Sequence, residues 1–168
     1  MRKSILLMLL CSMWVAAFSQ KIVKNEKDEF TGSQVTETSY TAISDGFNCA
    51  LRIVNDTRTL LSVFNCDDNV YTMEEGAEFM LKLQNDSILT LENLKDAVSE
   101  YWSTTIGSLH LSHFNLKTKY ILSDEQIKQL QTTPITVVRF YTTDGYIERK
   151  VSSKNAKKLL KLFNLIKI

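Results

Sequence analysis

The chain has 168 residues, with 20 Lys and Arg against 19 Asp and Glu and a formal charge of +1. That balance excludes the basic excess on which bulk nucleic-acid binding depends. Hydrophobic residues at 44%, charged residues at 23%, five glycines and a single proline, Pro134, are ordinary globular composition and exclude disordered, fibrous and repeat-built classes.

The first nineteen residues read as an export signal. Arg2 and Lys3 give a basic start, residues 5–18 an almost uninterrupted apolar run, and Ala17-Phe18-Ser19 a small-x-small cleavage site before Gln20. The run of about 14 residues is short of the ~20 that a spanning helix needs, so no transmembrane segment is expected after processing. Cys11 lies within the run, but Leu10 precedes it where a lipidation signal has a small residue, so a soluble exported form is expected, periplasmic, cell-surface or extracellular. Loss of Arg2 and Lys3 leaves 18 basic against 19 acidic residues, a mature charge of about −1.

The remaining length fits one domain. Residues 20–29 are charge-dense and predict a flexible lead-in, with a single globular domain over 30–168. A hairpin is expected at 47–54 returning through 59–64, with Asn55-Asp56-Thr57-Arg58 as its turn and Leu51 and Ile53 on one face. A second pairs 78–83 with 88–91 across Gln84-Asn85-Asp86-Ser87, after a bend at Glu74-Glu75-Gly76. The pattern weakens over 92–105 and assigns no element there, whereas 106–114 alternates as one strand.

Ser123 followed by Gln126, ahead of Ile127 and Leu130, predicts a short helix opened by a capping box and stopped by Pro134. Residues 135–141 and 146–151 form a hairpin around Asp144-Gly145, with Val138, Phe140, Ile147 and Val151 inward and Arg139, Tyr141, Glu148 and Lys150 outward. A final amphipathic helix, capped by Ser152 or Ser153, places Ala156, Leu159, Leu160, Phe163 and Ile166 on the core side. The expected class is α+β: a mostly antiparallel sheet built from hairpins, with a short helix and a C-terminal amphipathic helix packed on it.

Chemistry-bearing patterns are sparse. His110 and His113, three apart on a strand, fall on opposite faces and do not make half a metal site. Asp67-Asp68 and Glu74-Glu75 are adjacent pairs whose side chains diverge, unlike the carboxylates that face each other across a glycosidase cleft. No G-x-S-x-G and no phosphate loop is present, so no catalytic residue, cofactor or metal is assigned, and enzyme activity has no positive support. In an exported chain the two cysteines after the signal, Cys49 and Cys66, read first as one disulfide, and a hairpin centred between Thr57 and Arg58 sets them directly opposite. Lys154, Lys157, Lys158 and Lys161 form a stripe on the last helix that can face an anionic partner or simply water. Tyr101, Trp102, Tyr141 and Tyr146 are candidate aromatic platforms for sugar rings.

Two stretches carry a resemblance. Asp28-Glu29-Phe30-Thr31-Gly32 with Thr36-Glu37-Thr38-Ser39, and 120–127 through 138–146 to Lys154-Asn155-Ala156, resemble a group of small exported, functionally uncharacterised proteins common in Bacteroidetes. The resemblance implies export and a single domain, and brings no catalytic residues. The expected function is a non-enzymatic exported domain that binds a macromolecule, protein or glycan but not nucleic acid. The alternatives are a small hydrolase of envelope or dietary polymer and an inhibitor or immunity-type protein that blocks an enzyme through a sheet edge or loop.

Overall fold

The computed structural model describes residues 20–165, apart from the side chains of Ile106, Leu109 and His110. Residues 1–19, read above as an export signal, and Ile166 lie outside the described residues. In chain order the elements are β1 (Ile22–Lys27), β2 (Gln34–Thr38), β3 (Thr41–Ser44), β4 (Phe47–Val54), β5 (Thr57–Asn65), β6 (Thr72–Met73), β7 (Glu78–Leu83), β8 (Ile88–Glu92), β9 (Ala97–Val98), β10 (Glu100–Ile106), β11 (Leu109–Leu122), α1 (Asp124–Thr132), β12 (Ile135–Thr142), β13 (Gly145–Lys150) and α2 (Ser153–Asn164).

Every strand pairing among the described residues is antiparallel. A seven-stranded sheet runs β1-β2-β4-β5-β11-β10, with β3 also on β4, and curls into a half-barrel. A four-stranded sheet runs β13-β12-β7-β8, and β6 pairs with β9. With 56% strand against 15% helix this is a β-rich fold, which corrects the α+β expectation. The reason lies in three segments. Residues 20–29, expected as a lead-in, hold β1; 92–105, left without an element, hold β9 and β10; and 106–114, expected as one strand, contain a hairpin turn.

The core lies between the sheets. Phe47, Leu51, Leu60, Phe64, Leu116 and Tyr120 of the larger sheet meet Phe79, Leu81, Val138 and Phe140 of the smaller one, all buried. Ring centroids of Phe47 and Phe140 are 5.4 Å apart, of Phe64 and Phe140 5.1 Å, and of Phe79 and Tyr120 5.0 Å. Phe47, Phe64, Tyr120 and Phe140, with Ser62, Met73, Leu116 and Thr118, fill the concave side and leave no space between them for a water-sized molecule, so the half-barrel is packed with its own side chains.

Other local expectations hold. Ser123 accepts from the Gln126 N–H while the Gln126 side chain accepts from the Ser123 N–H, the predicted capping box. Ser152 is the cap of α2. The inward set of α2 is Ala156, Leu159, Leu162 and Phe163; Leu162 takes the place expected of Leu160, which is only half-buried. The last hairpin keeps the predicted faces but turns through Thr143 and Asp144, one residue ahead of the expected Asp144-Gly145, so that Thr142 pairs with Gly145, the first residue of β13.

The disulfide register is corrected by the first hairpin. Asn55 adopts a left-handed φ of 53°, a conformation Asn tolerates, and closes a turn in which Val54 pairs directly with Thr57. Cys49 therefore faces Ser62, four residues short of Cys66, and both cysteines are free, buried thiols.

Candidate interaction surface

The feature that the seven-stranded sheet leaves open is its β10 end. Gly107, at φ 62°, turns β10 into β11, and the two strands pair without a register shift from Glu100↔Asn115 to Ile106↔Leu109. Strand β5 pairs with β11 only from Asn115 to Leu122. Residues 100–114 are thus a two-stranded ribbon that runs on past the sheet, and among the described residues no strand pairs with the outer edge of β10.

The ribbon is fixed at its root. The Phe114 N–H donates to the Asp67 carbonyl and the Cys66 N–H to the Phe114 carbonyl, each at 2.8 Å. Lys117 Nζ reaches Glu100 Oε2 at 2.6 Å, and this hydrogen bond and charge hold the Glu100 carboxyl below its usual range. Above the root, Tyr101 packs edge-on against Phe114 at 5.6 Å and Trp102 lies over His113 at 4.6 Å.

Alternation places Trp102, Thr104, Leu111 and His113 on the outer face, with Lys117 and Lys119, and Tyr101, Ser103, Ser112 and Phe114 on the side of core residue Leu116. Tyr101 is 61% exposed, Trp102 43% and Leu111 40%. Residues 101–114 contain no Asp, Glu, Lys or Arg. At the chain's 23% charge, about three would fall in such a run. Proteins normally guard exposed edges with charge, proline or bulges, and the ribbon has none of these.

The expected site residues lie elsewhere. Burial pushes the Cys49 thiol up to about 12, and Cys66, 3.5 Å from Ser99 Oγ, is also raised by burial. Neither is disposed to form a thiolate, the nucleophilic species. Tyr120, likewise pushed to about 12 by burial, sits in the packed interior. Of the lysine stripe, Lys154, Lys157 and Lys161 are exposed and Lys158 is half-buried. His113 is engaged with Trp102, and no group of three or more potential metal ligands occurs among the described residues. Asp67 and Asp45 border a polar cleft of about 260 Å³ with Arg149, while the Glu75 N–H donates to Asp96 in the turn ahead of β7.

Tyr141 and Tyr146 do come together, with centroids 6.1 Å apart on the outside of the four-stranded sheet. Arg139 lies 4.5 Å over Tyr146, but its guanidinium is already engaged by Glu148 at 2.6 Å. The depression beside them, about 130 Å³, is floored by Met80, Ile88 and Val137. It is shallow and small against ordinary ligand pockets.

Sequence reading named Tyr101 and Trp102 but missed the ribbon that carries them. The signals were present: Gly107-Ser108 is a hairpin dipeptide, and a charge count along the chain isolates 101–114. Among the described residues no helix is long and apolar enough to cross a membrane. Comparison with family models, curated proteins and solved structures finds no match.

Proposed function

We propose that the chain is an exported, non-enzymatic binding domain that takes up an extended segment of a macromolecular partner along the open edge of β10. The observation that carries this reading is the edge of an exposed aromatic ribbon anchored to a packed β core, uncharged from Tyr101 to Ile106 and paired with no other strand of the described residues. Strand addition uses these features: the edge backbone supplies hydrogen bonds, and alternate side chains such as Trp102 and Thr104 supply selectivity. The basic-apolar-small pattern of residues 1–19 supports the exported compartment.

The test uses the chain from Gln20 as bait in extracts of the envelope, beside a Thr104→Lys variant that restores a guarding charge. Partners retained by the wild type and lost by the variant, with slowed amide exchange along β10 in the complex, are expected. Equal capture by both baits, or unchanged exchange at β10, would overturn the proposal.

A further inference from the structure

The two ends of the seven-stranded sheet are built to different rules, and the difference selects an occupant. Strand β1 carries Lys24, Glu26 and Lys27 and has a register shift between Ile22 and Lys24. An edge of that kind resists a further strand. Strand β13, at the end of the four-stranded sheet, carries Glu148, Arg149 and Lys150. From Tyr101 to Ile106, β10 has no charge, and opposite it a charged strand finds no counterpart.

Resting on the strand-addition reading, we infer that the segment taken up is β10 of a second copy of this chain, paired antiparallel about a two-fold axis at Ser103. This centre matches all seven residues of the strand. Ser103 meets Ser103 of the second copy, Trp102 meets its Thr104, and Tyr101 meets its Thr105. A large ring thus faces a small β-branched residue at each non-central position of the strand's middle, twice by symmetry. Glu100 comes opposite the position of Ile106, not opposite Glu100, and keeps its own Lys117. Centres at Trp102 or Thr104 lose pairs, because Val98 is already engaged with Thr72 on one side and Gly107 turns the chain on the other.

The arrangement also terminates. A two-fold contact uses the same patch on both copies, so each β10 edge is consumed once. The joined sheet then ends in β1 at both extremities, the strand that carries charge and a bulge. An unguarded edge that would otherwise template open-ended assembly is closed by its own copy.

The experiment measures the mass of the chain from Gln20 by light scattering from about 1 µM to about 1 mM. It is paired with oxidative cross-linking of Ser103→Cys and, as a control on the opposite edge, Lys24→Cys. Directly opposed strand positions bring Cβ atoms to about 4.5–5.5 Å, close enough for a disulfide after slight closure. The mass is expected to double within the range for the wild type and to stay monomeric for Thr104→Lys. Covalent dimer is expected at least about tenfold more abundant for Ser103→Cys than for Lys24→Cys. A monomeric wild type throughout, equal cross-linking at both edges, or ribbon-dependent binding to phosphatidylcholine vesicles in place of dimerisation would overturn the inference. If the wild type is monomeric while Thr104→Lys still abolishes capture of an envelope partner, the second copy is excluded and strand addition stands. If both effects are missing, both readings fall.

Discussion

Strands β1 and β10 end the same sheet, are both largely exposed, and are each held by one hairpin neighbour, yet only one of them is defended. On β1, Lys24 and Glu26 form an ion pair at 2.8 Å and the ladder with β2 is broken by a bulge; on β10 the ladder is regular and, past Glu100 at its root, the side chains are Tyr, Trp, Ser, Thr and Ile. Exposed positions accept charge at almost no cost to the fold, so a strand that lacks it is constrained by something other than folding. The comparison sets a charged, bulged edge at one end of the sheet against a regular, uncharged one at the other.

The strongest way to break the comparison is to show that the ribbon is simply more core. Leu111 and Leu116 lie on the same strand, one 40% exposed and the other 1%. Leu116→Ala should destabilise the fold by about 2–5 kcal/mol in chemical denaturation, whereas Leu111→Ala should change it by less than about 0.5 kcal/mol. Comparable losses from the two substitutions would mean that the ribbon is a structural extension of the sheet and not a free surface.

A smaller effect sharpens the contrast from the other side. Replacing Lys24, Glu26 and Lys27 together by Thr removes the guard from β1. This should raise self-association at that edge by about tenfold, equivalent to ~1.4 kcal/mol, read as concentration-dependent light scattering in the background of Thr104→Lys. No increase would show that the bulge alone protects β1, and that charge is not what separates the two ends.

What was legible in the sequence follows how local each interaction is. The Ser123/Gln126 box, the Ser152 cap and the 78–91 hairpin are decided by residues a few positions apart, and the structure reproduces them. The first hairpin was placed on the right strands but in the wrong register, because Asn55 in a left-handed conformation closes the turn at Asn55-Asp56, with its centre two residues earlier than between Thr57 and Arg58. That slip alone removes the Cys49–Cys66 pairing. Residues 92–122 were obscure for a different reason: β9 is a two-residue strand whose partner, β6, lies some 25 positions earlier, and from Tyr101 onward β10 has alternation without charge on either face. Polar-apolar contrast is the usual signature of a half-buried strand, and a ribbon with apolar residues on both faces lacks it. The same property that hid the ribbon from periodicity marks the outer edge of β10, with which no strand of the described residues pairs.

The smallest expected difference separates two carboxylates, one beside each edge. Asp28 closes the turn after β1; its Oδ1 accepts from the Thr31 N–H at 2.7 Å and the Phe30 N–H at 3.0 Å, and these bonds, the Thr31 one foremost, lower its pKa. Glu100 at the root of β10 is lowered chiefly by its hydrogen bond to Lys117 and then by that residue's charge. In both cases the folded-state value lies below the ordinary one, 3.8 for Asp and 4.5 for Glu. Each group therefore contributes stability above its ordinary value, and the contribution is lost as pH falls through the folded one. The two respond differently to salt. At 1 M ionic strength the screening length falls to about 3 Å, which weakens an exposed ion pair but leaves backbone hydrogen bonds largely intact. Carboxyl titrations followed by NMR should show Glu100 moving back toward 4.5 in high salt while Asp28 stays low. Lys117→Met should produce the Glu100 shift without salt. If Asp28 moved as far as Glu100, the β1 turn would also rest on charge, and the two edges would be held in the same way.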